Sequence, residues 1–159
     1  MIRFQDLTAC DVMTPNPLCL DSDATLTEAE ELLLSAGVDE APIVGDSGEY
    51  LGSCSVRDLL LARRERNGAR TVGGLPKRAT PTCSGSLRLA QACQLMIRER
   101  SRRIVVVAGG RPVGIVSCTE AARVLACLED LSHARKPWNF TPFEEGTHPE
   151  ESALGAGGI

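Results

Sequence analysis

The sequence predicts an α+β fold: two β-α-β-β-α repeats packed together with pseudo-two-fold symmetry. Two observations carry this expectation. The chain is self-similar at a spacing of 63 residues, and each copy runs from a helical apolar spacing into two apolar strands around a Gly-rich turn. TACDVMTPNPLCLDSDATLTEAEELL (8–33) lies over TVGGLPKRATPTCSGSLRLAQACQLM (71–96). Thr8 then meets Thr71, Leu26 meets Leu89, Ala29 meets Ala92, and Ile43-Val44 meets Val106-Val107. Identity is low, but apolar character and turn punctuation agree along the whole unit.

Each element follows in order. Short extended pieces at Pro17–Leu20 and Thr80–Cys83 lead to helices. Leu26, Ala29, Leu33 and Ala36 give the first helix its apolar face, and Leu89, Ala92, Cys93 and Met96 give the second its counterpart. Strands at Ala41–Val44 and Arg103–Val107 come next. The turns after them contain GDSG (45–48) and Gly109-Gly110, and the strands Tyr50–Cys54 and Pro112–Val116 then run directly into second helices. Neither unit has enough apolar area to stand alone, so the two are expected to pack sheet to sheet. The chain divides into a first repeat at 8–70, a second at 71–127 and an acidic, partly disordered tail at 128–159.

Composition narrows the function. Apolar residues make up 43% of the chain and charged residues 24%, as in a soluble globular protein. No apolar run approaches the ~18 residues of a membrane span, and MIRFQDLTACD is too polar for a secretory signal, so a cytoplasmic protein is expected. The seven cysteines form no C-x-x-C pair and read as small buried hydrophobes. With only His133 and His148 as histidines, no metal-ligand spacing and no nucleophile-base pair emerges, so neither a metal site nor an enzyme is expected.

The net charge of −4 conceals a dipole. Residues 8–70 hold 12 acidic side chains against 5 arginines, a net −7, whereas residues 71–127 hold 2 against 9 Lys/Arg, a net +7. The basic part is too short and too poor in aromatics to make nucleic acid a leading partner.

The most specific pattern sits where the last strand of each unit meets its helix. Gly52-Ser53-Cys54-Ser55-Val56-Arg57-Asp58 recurs as Gly114-Ile115-Val116-Ser117-Cys118-Thr119-Glu120. With VMTPNP at 12–17 and the strand pairs at 40–53 and 103–117, residues 8–127 resemble a pair of CBS (cystathionine-β-synthase-type) repeats. That resemblance implies a CBS-pair module: a non-catalytic regulatory unit with two clefts for an adenine nucleotide such as AMP, ADP or ATP. In such clefts the Asp carboxylate accepts the ribose hydroxyls, while the Ser/Thr hydroxyl and the helix N-terminus meet phosphate.

Each cleft would join the Ser-x-x-Asp of one repeat to the first strands of the other. The primary cleft would comprise Ser55, Arg57 and Asp58 with Lys77, Arg78, Arg102 and Arg103, a cationic lining suited to phosphates. The secondary cleft would comprise Thr14, Ser117 and Glu120, where Glu120 departs from the family's Asp. Ser-x-x-Asp and Ser-x-x-Glu are equally helix N-terminal caps.

No effector domain is fused to the repeats, so a separate partner protein is expected. Three of the five aromatics cluster at 138–143, and Trp138 and Phe140 are candidates either to dock on their own domain or to anchor that partner. Charge favours an antiparallel homodimer. The alternative function is a structural dimerisation or interaction module with empty clefts.

Overall fold

A computed structural model of the chain describes residues 6–65, 68–77 and 79–133. Arg78 and the tail with Trp138 and Phe140 lie outside these residues.

The first repeat begins with a short helix α1 (Ala9–Val12) and a two-residue strand β1 (Thr14–Pro15), neither of which the sequence announced. Then follow β2 (Leu20–Asp21), α2 (Leu26–Ser35), β3 (Glu40–Val44), β4 (Tyr50–Ser55) and α3 (Val56–Glu65). The second repeat runs through a 3-10 turn (Val72–Gly74), β5 (Thr82–Cys83), α4 (Leu89–Arg98), β6 (Arg103–Ala108), β7 (Arg111–Ser117) and α5 (Cys118–His133). The α+β class and its two repeats stand as expected.

Local chemistry sets the helix ends. Thr25 caps α2: its hydroxyl accepts from the Glu28 amide at 3.2 Å, while the Glu28 carboxylate accepts from the Thr25 amide at 2.8 Å. At the other end Gly37 turns left-handed, and the Val38 amide donates back to the Leu33 carbonyl at 3.0 Å. α4 ends in the same way, with the Ser101 amide on the Met96 carbonyl at 2.9 Å. There Arg100 occupies the left-handed position at φ +50°.

Two sheets result, ordered β2-β3-β4 and β1-β7-β6-β5. β2 runs parallel to β3, and β5 parallel to β6. β3–β4 and β6–β7 are antiparallel hairpins with matching register shifts at Ile43/Val44 and Val106/Val107. The alternation of strand side chains sends two sets of residues in opposite directions. Ala41, Ile43 and Cys54 join the helices in one core, and Ile104, Val106 and Val116 join theirs in another. The opposite faces, with Pro42, Ser53, Val105 and Ile115, meet between the sheets around a void of only about 10 Å³.

The repeats exchange their leading segments. Ala9 is buried in the second repeat's core, whereas Val72 and Leu75 are buried in the first repeat's core. Backbone hydrogen bonds mirror one another across this exchange. Ala9 donates to Leu87 and Cys10 to Gly85; 63 residues later, Val72 donates to Ala24 and Gly73 to Ser22. β1 also crosses over, pairing Thr14 with Ile115 of β7. The two sequence units therefore hold each other's cores closed.

The cysteines divide. Cys54 and Cys83 are buried, and burial pushes the Cys54 thiol up to about 12. Cys10 and Cys118 are exposed, which corrects the expectation that such residues are buried. Both sit in the first turn of a helix whose inward face is taken by Ala9 or Ala121.

Candidate functional site

Both Ser-x-x-acid patterns fall at strand-to-helix junctions. At β4–α3 the Ser55 amide and hydroxyl donate to Asp58 Oδ2 at 2.9 and 2.6 Å, and the Asp58 amide donates back to Ser55 Oγ at 3.3 Å. At β7–α5 the Ser117 amide donates to Glu120 Oε2 at 2.8 Å, and the Ser117 hydroxyl donates to the same oxygen. Glu120 thus takes the acid's part in the cap as Asp58 does, but Ser117 Oγ accepts from the Thr119 amide at 3.1 Å. In each pair these bonds converge on one carboxylate oxygen.

Around Ser117 and Glu120 lies an open cleft of about 250 Å³, just below the ~300–1,000 Å³ usual for small-ligand pockets. The first repeat supplies Thr14, Pro17 and Leu18 from the crossing segment, and Gly37 through Glu40 from the α2–β3 turn. The second supplies Arg103, Ile115, Ser117 and Glu120. Thr14, Ser117 and Glu120, grouped from sequence, are therefore brought together. β1 accounts for this, because its antiparallel pairing with β7 carries Thr14 alongside Ile115.

Arg103 lines this cleft too, although the family resemblance grouped it with Ser55 and Asp58. It forms an ion pair with Asp39 and donates to the Glu40 carbonyl at 3.5 Å. The hydrogen bond from Arg103 holds the Asp39 carboxyl below its ordinary range, and the Arg102 charge adds to this. A second tie between the repeats is buried nearby. The Thr80 hydroxyl donates to Glu40 Oε1 at 2.8 Å, and the Tyr50 hydroxyl donates to the Thr80 carbonyl at 3.2 Å. Asp39, Glu40 and Thr80 are the residues the sequence reading missed; their partners lie 40 to 64 positions away.

Arg57, Lys77 and Arg102 are exposed, on the first turn of α3, before β5 and before β6 respectively. Arg78 lies outside the described residues. Among those residues no group of three or more His, Cys, Asp or Glu is placed to hold a metal, and no helix is long and apolar enough to cross a membrane.

Residues 9–65 and 72–127 each match the model of the CBS domain. The chain belongs to the CBS domain family. This CBS pair is 28% identical over 124 residues to the uncharacterized protein MJ1225 of Methanocaldococcus jannaschii; the match covers 77% of this chain but only 44% of that protein. It is also 28% identical over 122 residues to hypoxic response protein 1 of Mycobacterium tuberculosis, covering 74% of this chain and 85% of the relative. Among solved structures, CBSX2 in complex with AMP superposes with a TM-score of 0.69 at 26% identity, covering 77% of this chain and 98% of that one.

Proposed function

We propose that this CBS pair is a non-catalytic regulatory module that binds an adenosine-containing ligand and passes its occupancy to a separate protein. One observation carries the reading: the cleft at Ser117 is built from both repeats at once. A ligand seated there touches Thr14 and Val38 of one repeat and Ser117 of the other. It therefore stabilises one arrangement of the repeats over others, which is what a sensor requires. The likeness to CBSX2, solved with AMP, supports an adenine ligand.

Phosphorylated nucleotides suit the cleft at Ser55 and Asp58. Its helix N-terminus carries Arg57, and Lys77, Arg78 and Arg102 add positive charge from the second repeat. Arg103, paired with Asp39, lines the Ser117 cleft instead. The module acts in the cytoplasm as a homodimer, with Trp138 and Phe140 as candidate anchors for the effector.

The competing reading is an interaction module with no ligand. It is favoured by the fact that both Ser/acid pairs are already engaged as helix caps. A thermal-shift panel of AMP, ADP, ATP, NAD and S-adenosylmethionine separates the two. A ligand at 100 times its Kd stabilises the fold by about 2.7 kcal/mol. A flat panel would leave the interaction module standing.

A further inference from the structure

The lining of the Ser117 cleft and the residues at matching positions of the other repeat differ in charge. In the Ser117 cleft, Asp39, Glu40 and Glu120 face a single lining arginine among the described residues, Arg103, which is already paired with Asp39. The second repeat, 63 residues on, replaces Thr14 with Lys77, Gly37 with Arg100 and Asp39 with Arg102. Matching positions of the two repeats therefore carry opposite signs.

From this asymmetry we infer that the Ser117–Glu120 cleft selects an adenosine compound without phosphate, uncharged or cationic, and turns phosphorylated nucleotides away. The inference rests on the adenosine reading above and assigns a ligand class to one of its two sites. An AMP phosphate entering this cleft would approach carboxylates whose one lining counter-charge among the described residues, Arg103, is engaged. Removing Arg103 from Asp39 to meet the phosphate would leave Asp39 without its partner. A neutral nucleoside meets no such repulsion, and a sulfonium or ammonium group is attracted. The apolar side of the cleft (Pro17, Leu18, Val38 and Ile115) offers a base a surface that is indifferent to charge. One or two unit charges acting across a partly solvated cleft change affinity by about tenfold each.

The test uses the whole chain and three probes: AMP, 5′-methylthioadenosine and S-adenosylmethionine. Methyl NMR shifts of Val38 and Ile115 read occupancy of this cleft, and those of Val56, beside Ser55, read the other. We expect 5′-methylthioadenosine and S-adenosylmethionine to shift Val38 and Ile115 at concentrations at least about tenfold below those AMP requires. Glu120→Gln keeps a residue that can close the cap and should narrow that gap, as should Asp39→Asn. AMP shifting Val38 as readily as the uncharged nucleoside, or a gap that neither variant narrows, overturns the inference while leaving the adenosine reading intact. If none of the probes shifts either set of methyls, the adenosine reading itself fails.

Discussion

The amide of Gly73 donates to the carbonyl of Ser22 at 2.7 Å, and a Cβ built on Gly73 would lie 2.6 Å from that oxygen. The second repeat's leader thus lies against the first repeat's backbone at a distance only glycine allows. The mirrored contact solves the same problem from the other side. There Cys10 carries the side chain and Gly85 carries none, and a Cβ on Gly85 would lie 3.2 Å from Cys10 Sγ. Each crossing has one side chain and one glycine.

Gly73→Ala should therefore destabilise the fold by about 1–3 kcal/mol, because the obstacle is backbone and cannot turn aside. Gly74→Ala is its control, since a Cβ there meets nothing nearer than 3.6 Å. Urea unfolding of both variants checks this; equal stabilities would mean the leader is not held where it appears.

Arg100 adopts φ +50° at the position where the first repeat has Gly37 at φ +64°. A side chain in that region costs about 1–2 kcal/mol, partly offset by glycine's greater loss of freedom, about 0.5–1 kcal/mol. Arg100→Gly should raise stability by roughly 0.5–1 kcal/mol while weakening AMP binding, since it removes a cation from the basic side. Calorimetric titration beside thermal unfolding separates the two effects. A gain in stability with unchanged AMP affinity would show that Arg100 takes no part in binding.

Asp58→Ala is expected to weaken adenine-nucleotide binding far more than Glu120→Ala, because the proposed phosphate cleft joins Ser55 and Asp58 to the basic repeat. Both changes remove a capping partner, at about 0.5–2 kcal/mol each, so affinity must be read against matched stability. Equal losses of affinity would sink the ranking of the clefts.

Asp39 gives a pH signature. Its folded pKa is lowered from 3.8 by the Arg103 hydrogen bond. Such a group contributes stability that is present above its unfolded value and is lost as pH falls through the lower folded one. Asp39→Asn should cost little at neutral pH, within the ~0–1 kcal/mol of an exposed ion pair. The gap between variant and parent should close as pH falls below 3.8. Urea midpoints across that range test it, and a gap that persists in acid would show that the carboxylate's charge is not its source.

The helices and hairpins were legible because each is specified locally. Leu26, Ala29 and Leu33 mark a face, and Gly-rich turns punctuate the strands. The exchange of leaders was not legible, because Ala9–Val12 is too short for periodicity and its partners, Gly85 and Leu87, lie more than 70 positions on. The junctions at Ser55 and Ser117 were readable as a repeated pattern. The pairing of Arg103 with Asp39 was not: the resemblance assigned Arg103 to a ligand cleft, and only the packing of the sheets brings an acid beside it.

Leu34 and Ile97 occupy matching positions near the ends of α2 and α4, and they are 64% and 77% exposed. Two such side chains left in water suggest a surface that a second copy covers. Charge then chooses the arrangement. A parallel dimer would set the −7 repeat beside its copy and the +7 repeat beside its own, so like charges would face each other twice. An antiparallel dimer brings Leu34 of one copy towards Ile97 of the other and pairs opposite signs at both ends, which favours orientation and association rate. Sedimentation should show a dimer that loosens with salt, because the Debye length shrinks from about 8 Å at physiological strength to about 3 Å at 1 M. Register is tested by crosslinking. In a background with Cys10 and Cys118 replaced by Ser, a chain carrying Leu34→Cys is mixed with one carrying Ile97→Cys. Mixed crosslinks are expected. A monomer at every salt concentration, or crosslinks joining only like positions, would show that the acidic and basic repeats do not face each other.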